Sequence, residues 1–265
     1  MNRRVSQENF LRVELEIHNR VATLTLCRPE VLNAIDQTML HEFEEALGLV
    51  RQAPEVVLLL THGSGRAFSA GSDLKELATC SPQQAAEFEA EHGRVFAQLQ
   101  TLPQITVAVW RGYVLGGGLF LGLYHDFRLA ARQATIGLPE VTHGWVPPWG
   151  VSRLVEVVGW QVAKRLMLCE TQLDGEEARR IGLADGVWSE EEFDEQVGRW
   201  VEHLTDRPVT ALQETKSLLR EMRMLDHEYW DRRAVDAFQR CYETEAAQRA
   251  VQRFVEKRKN HGHRR

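Results

Sequence analysis

Hydrophobic residues alternate with polar ones at Val13, Leu15 and Ile17, stop at His18-Asn19-Arg20, and resume from Val21 to Leu26. A period of two, broken by polar residues and then resumed, predicts a hairpin over residues 12–26. The period then lengthens: Met39, Leu40, Phe43, Leu47 and Val50 fall on one face of a helix over residues 37–50. Val56 to Leu60, Ile105 to Val109 and Phe127 to Ala130 are short apolar runs that read as strands, the first two buried. Ser81-Pro82-Gln83-Gln84 combines a serine cap, a first-turn proline and a glutamine box partner, predicting a helix to about Leu102. Another apolar run, Leu119 to Tyr124, follows Gly116-Gly117-Gly118 and reads as a buried helix whose first-turn N–H groups lack partners. Strands and helices in alternation argue for an α/β fold.

After about residue 150 the pattern turns helical. Asp174-Gly175-Glu176-Glu177 starts a short helix that stops near Gly182, and Ser189 caps another running through Phe193, Val197 and Trp200. Pro208 starts a helix containing Leu212, Leu218 and Leu219, and a last long helical stretch contains Trp230, Val235, Phe238, Tyr242 and Phe254. The chain divides on this reading into a core over residues 1–200 and a helical region over 201–265. The helical region is rich in apolar residues for a peripheral layer, which suggests packing partly on other subunits.

Composition narrows the classes. A chain of 265 residues with 43% hydrophobic residues supports one large core. The net charge of -6 argues against wholesale nucleic-acid binding, with only the tail (Lys257, Arg258, Lys259, Arg264, Arg265) basic. Cys27, Cys80, Cys169 and Cys241 have no CxxC spacing and read as reduced thiols of a cytoplasmic protein, neither a disulfide frame nor a metal site. No run reaches the roughly 18 apolar residues of a membrane span, and no apolar N-terminal leader is expected.

Three segments carry candidate chemistry. The first is Arg66-Ala67-Phe68-Ser69-Ala70-Gly71-Ser72-Asp73, which follows a buried strand; its small residues admit a ligand or simply make a tight turn. The second is the glycine triplet, free of side chains and lacking both the GxGxxG spacing and the P-loop lysine; it suits either a ligand or close helix packing. Taken together, two small-residue turns after two strands place two backbone N–H groups where they can hold one carbonyl oxygen, an oxyanion hole. The third segment runs from Gly137 to Gly150. Within it Glu140 sits among apolar residues, where burial raises a carboxyl pKa toward the range useful for proton transfer. His143 is a second titratable candidate, and Trp145 and Trp149 line an acyl pocket or fill core.

In this order the three segments resemble the crotonase superfamily, the enoyl-CoA hydratase/isomerase family. Leu26 to Ile35, Leu173 to Leu183 and Phe254 to Arg258 add weaker matches, so the resemblance spans about residues 12–259. It implies a spiral of ββα units with a C-terminal helical trimerisation region, and a homotrimer or hexamer. It also implies that the N–H groups of Ser72 and Gly117 hold an acyl-thioester oxygen. Arg28 to Ala34 and Ala67 to Ala70, including Phe68, would line the coenzyme A site, and Lys257 would reach a neighbouring subunit's phosphates. Coenzyme A then arrives as part of the substrate, an acyl-CoA or an acyl-carrier-protein thioester, and no separate cofactor is expected.

The chain departs from the family's hydratases at one point. They resemble this chain at Glu140, but their other glutamate aligns with Phe120, which transfers no proton. Moving a double bond needs one base, so the leading expectation is double-bond isomerisation of an enoyl-CoA by Glu140. A decarboxylase or C–C bond-forming member on CoA or polyketide carrier-protein thioesters, a single-glutamate hydratase, and a non-catalytic scaffold or RNA-binding relative are the alternatives. Trp149, bulky where many relatives are small, implies a reshaped acyl pocket; Glu30, acidic where many are basic, weakens coenzyme A as the carrier.

Overall fold

The computed structural model describes residues 10–222 and 227–262, with side chains left undescribed at several positions from 222 onward. Strands β1 (Val13–His18) and β2 (Val21–Leu26) form the expected hairpin. Asn19 and Arg20 turn it with φ of 47° and 70°, the left-handed pair that matches strand twist in a two-residue loop. Helix α1 (Gln37–Arg51) starts where Asp36 accepts from the Met39 N–H, and its inward face carries the predicted apolar residues. Strand β3 (Leu58–Gly63) begins two residues later than the apolar run; Val56 and Val57 lie before it, Val57 donating to Arg20 O.

Strand β4 (Ala67–Ser69) follows at once, then α2 (Leu74–Leu77) and α3 (Pro82–Thr101), whose capping box at Ser81 and Gln84 is present on both sides. The pattern repeats: β5 (Ile105–Trp110) then β6 (Tyr113–Leu115) and α4 (Gly117–Leu123); β7 (Phe127–Ala131) then β8 (Thr135–Gly137), α5 (Glu140–His143) and α6 (Val151–Leu168). Helix α7 (Gly175–Arg180), β9 (Gly186–Trp188), α8 (Glu190–Thr205) and α9 (Val209–Met222) complete the described order up to residue 222.

The last stretch is two helices, α10 (His227–Tyr242) and α11 (Glu245–Gly262), where the sequence pattern suggested one. Thr244 makes the break: its hydroxyl donates to Cys241 O and accepts from the Ala247 N–H, so it ends one helix and starts the next. Ser189 occupies the expected cap position of α8, but its hydroxyl bonds to the Glu192 carboxylate and not to the backbone.

Two sheets result. The larger runs β1-β2-β3-β5-β7-β9 and the smaller β4-β6-β8, with every pairing parallel apart from β1 with β2. Strands β3, β5 and β7 of the large sheet each hand the chain to a strand of the small sheet, then to a helix. This is a mixed α/β spiral. The core fills the space between sheets and helices with Leu24, Phe43, Phe68, Phe96, Trp110 and Phe120, all almost fully buried. Helices α10 and α11 close a second cluster, Phe238, Tyr242, Ala247 and Val251 packing on Leu77, Ala85, Phe88 and Trp145. Among the described residues no helix is long and apolar enough to cross a membrane.

Candidate active site

The small sheet explains why the three candidate segments meet. β4, β6 and β8 are parallel neighbours, so their carboxyl ends lie side by side, and each of the three segments runs out past one of those ends. Ends of adjacent parallel strands are where an α/β sheet opens onto a crevice.

The turn after β4 is fixed from below. Ser69 Oγ donates to Asn33 O at 2.8 Å and accepts from the Gly71 N–H at 3.1 Å. Ile35 then pairs across this turn, donating to Gly71 O at 2.8 Å and accepting from Asp73 N at 2.9 Å. In such a parallel bridge the middle residue's N–H faces the other way, so the Ser72 N–H turns from Ile35 toward the glycine triplet. Gly71 has φ of +87°, and a Cβ on it would lie 2.7 Å from the Gly117 nitrogen; only glycine lets the two turns approach.

Gly116 ends β6 with φ 53° and ψ -126°, a conformation open to glycine alone, and donates to Gly137 O of β8 at 3.0 Å. Gly117 then opens α4, where a first-turn N–H has no carbonyl one turn back. A Cβ on Gly117 would sit 3.5 Å from the Ser72 nitrogen, so the two turns lie against each other. Two such donors on one oxygen stabilise developing negative charge, each by about 3 kcal/mol.

Glu140 leads α5 and is 7% exposed. Its Oε1 lies 3.1 Å from where a Cβ of Gly116 would be, and among the described residues its buried Oε2 has no hydrogen-bond partner. Burial pushes its pKa up to about 8; its own backbone N–H opposes the rise and the charge of Glu89 adds to it. The carboxyl is thus poised to change protonation near neutral pH.

A cavity of about 60 Å³ joins these groups. Of the residues singled out by sequence, Ala70, Ser72, Gly117, Phe120, Glu140, Trp145 and Trp149 line it together, as does His143, stacked on Trp145 at 5.2 Å. Phe120 is fully buried against Trp149, ring centroids 5.6 Å apart, and Trp149 continues onto Phe96 at 5.4 Å.

The others stand apart from this cavity. Arg28 is 8% exposed, its guanidinium tied to Asp73 at 2.9 Å, Asp36 at 3.2 Å and Ala34 O at 2.6 Å, so it braces the Ser72 turn from outside. Ala67 accepts from the Asn33 amide, and Phe68 is core. The Lys257 side chain lies outside the described residues. Tyr124 turns its hydroxyl to Asp231 at 2.9 Å. His125, fully buried against Thr61 and Leu121 O, has its pKa lowered to about 3, burial being the main cause, and is a neutral structural group.

Sequence reading missed Glu89. It projects from α3 into the cavity at 3% exposure, its Oε2 accepting from Trp149 Nε1 at 2.9 Å. The signal was present: Glu89 falls on the face of α3 shared by Ala85, Ala86, Phe96 and Val95, a carboxylate inside an apolar stripe.

Comparison with known proteins gives the family and the fold. Residues 16–264 match the family model described as Enoyl-CoA hydratase/isomerase. The chain is 33% identical to a crotonyl-CoA hydratase of Syntrophomonas wolfei, over 96% of this chain and 98% of the relative. It is 30% identical to a short-chain-enoyl-CoA hydratase of Clostridium acetobutylicum, over 94% and 97%. A crystal structure of an enoyl-CoA hydratase from Mycobacterium avium subsp. paratuberculosis superposes with a TM-score of 0.85 at 23% identity, over 93% of this chain and 100% of that one, a likeness of fold. Pseudomonas aeruginosa DspI superposes with a TM-score of 0.78 at 28% identity, over 90% and 98%.

Proposed function

The chain belongs to the enoyl-CoA hydratase/isomerase family, and from that premise we propose that it shifts a double bond in an enoyl thioester, with Glu140 as the base. The observation that carries this reading is a buried Glu140 carboxyl whose Oε2 has no hydrogen-bond partner among the described residues, in a cavity it shares with Ser72, Gly117 and Phe120. The thioester oxygen accepts from both N–H groups. Ionised Glu140 removes a C2 proton from a 3-enoyl thioester, and the electron pair moves through the carbonyl carbon onto that oxygen. The dienolate collapses when Glu140 returns the proton to C4, leaving the double bond between C2 and C3. Only this chain's groups and the substrate take part.

The carrier in this reading is coenzyme A, entering along residues 29–32, Ala34 and Ala70, the exposed or half-buried part of the predicted lining, with an acyl-carrier protein as the other candidate. A homotrimer or hexamer belongs to the same reading. It is supported by Trp160 and Leu168 on α6, 72% and 67% exposed, which offer an apolar face to a second copy.

Purified protein given a 3-enoyl-CoA is expected to form the conjugated 2-enoyl product, followed by its ultraviolet absorbance. Glu140→Gln is expected to lower it about 10²–10⁴-fold; unchanged turnover in that variant would sink the reading. A second reading, hydration of a 2-enoyl-CoA, is favoured by one observation: Glu89 supplies a second carboxylate to the cavity.

A further inference from the structure

Glu89 makes a single hydrogen bond among the described residues, the one from Trp149 Nε1 to its Oε2. An ionised carboxylate has about four lone-pair sites, so most of its accepting capacity is unused. No arginine or lysine pairs with it among the described residues, although it is 3% exposed. Burying an acid without a cation is costly, and an apolar residue at this place on α3 would pack at less cost. What the acid offers instead is a polar group lining the cavity.

Its placement complements Glu140. Glu140 Oε1 lies 3.1 Å from the Cβ position of Gly116, whereas Trp149 Cζ2 lies 3.2 Å from that of Gly117. Since the same indole holds Glu89 through its N–H, the two carboxylates approach the oxyanion-holding turn from two walls, α5 and α3. Phe120 completes the arrangement by packing on Trp149 and on Gly150, buttressing the ring that orients Glu89. An apolar residue at 120 and an acid at 89 therefore belong to one design.

We propose that Glu89 is the second proton-handling carboxylate of this site, holding and deprotonating the water that adds to C3 of a 2-enoyl thioester while Glu140 delivers a proton to C2. The inference rests on the enolate reading above. The water oxygen bonds to C3, and its proton passes to Glu89. The C2–C3 π pair moves onto the thioester oxygen as the enolate, and collapse of the enolate takes the proton from Glu140. Transfer of one proton from Glu89 to Glu140 through solvent restores the start. This differs from the single-base route in needing both carboxylates, one ionised and one protonated.

The test uses the full chain with two assays: hydration of crotonyl-CoA, and exchange of α-protons of butyryl-CoA in heavy water by NMR. Glu89→Gln keeps the acceptor for Trp149 and is expected to lower hydration about 10²–10⁴-fold, the range of a lost general base. Exchange, which needs only Glu140 and the two N–H groups, stays within about threefold. Glu89→Asp recovers part of the hydration rate. Hydration by Glu89→Gln at the wild-type rate overturns the inference, as does equal loss of hydration and exchange, which would mark Glu89 as structural. Wild-type protein that exchanges α-protons without hydrating crotonyl-CoA overturns the role of Glu89 and leaves the enolate reading standing. Wild-type protein that does neither overturns the enolate reading itself.

Discussion

The two sheets divide the labour of this molecule. The large sheet has six strands, most of five or six residues, and its apolar runs build the core. The small sheet has three strands of three residues each, and all three candidate segments start from it. Stability and chemistry are thus carried by different elements joined strand by strand. The lesson is that a site can be held rigidly by strands too short to be stable alone, because each grows out of a longer one.

Substitutions that strike one sheet and spare the other test this division. The largest effect is expected just past the end of β8: Glu140→Gln lowers turnover about 10²–10⁴-fold, while its urea midpoint below the ordinary carboxyl range, where Glu140 is neutral too, stays close to wild type. A large shift in that midpoint would break the comparison. The converse substitution is Leu59→Ala in β3, fully buried, expected to cost about 2–5 kcal/mol of unfolding free energy. Turnover per folded molecule, measured below the unfolding transition, should be preserved.

Proton linkage sharpens the contrast further. The folded pKa of Glu140 is raised from 4.5 to about 8, so the fold binds a proton that the unfolded chain releases. Its contribution is complete below the ordinary carboxyl range and is lost as pH climbs through about 8. Glu140→Gln, neutral throughout, should therefore gain stability relative to wild type as pH rises from 4.5 to about 8, read as a gap in Tm that widens over that window and then levels off. The same ionisation separates the chemistries. Isomerisation needs ionised Glu140 and should rise in kcat/KM through about pH 8, whereas hydration needs the protonated acid and should fall there. The smallest effect is expected at Ser81→Ala, far from either sheet, where loss of the cap on α3 costs about 1 kcal/mol in chemical denaturation and leaves turnover alone.

The same division governs what could be read from sequence. β1, β2, β5, β7, α1 and α3 announce themselves by period and by capping residues. β4, β6 and β8 do not, since three residues hold barely one alternation and cannot display a period. Their ends were visible only as Gly71, Gly116 and the Pro139-Glu140 pair, residues that mark turns whatever surrounds them. Glu140 was legible because an acid between apolar neighbours stands out. Glu89 was missed because α3 has many acids, and only its place on the apolar face separates it from Glu87 and Glu91. The break between α10 and α11 rests on one hydroxyl at Thr244, with no proline or glycine to mark it.

The Ser72 and Gly117 donors are main-chain atoms, and that has an evolutionary corollary. Nearly every residue type carries an N–H, so at Ser72 a codon change alters the lining of the cavity without deleting the donor; only proline would. The proposed donor at Ser72 is thereby insulated from point mutation, whereas Gly71 and Gly116, which shape the two turns, are not; Glu89, Phe120, Glu140 and Trp149 are free to vary around it. A lineage built this way can exchange one reaction for another by redecorating walls, with no interval in which the enolate goes unsupported.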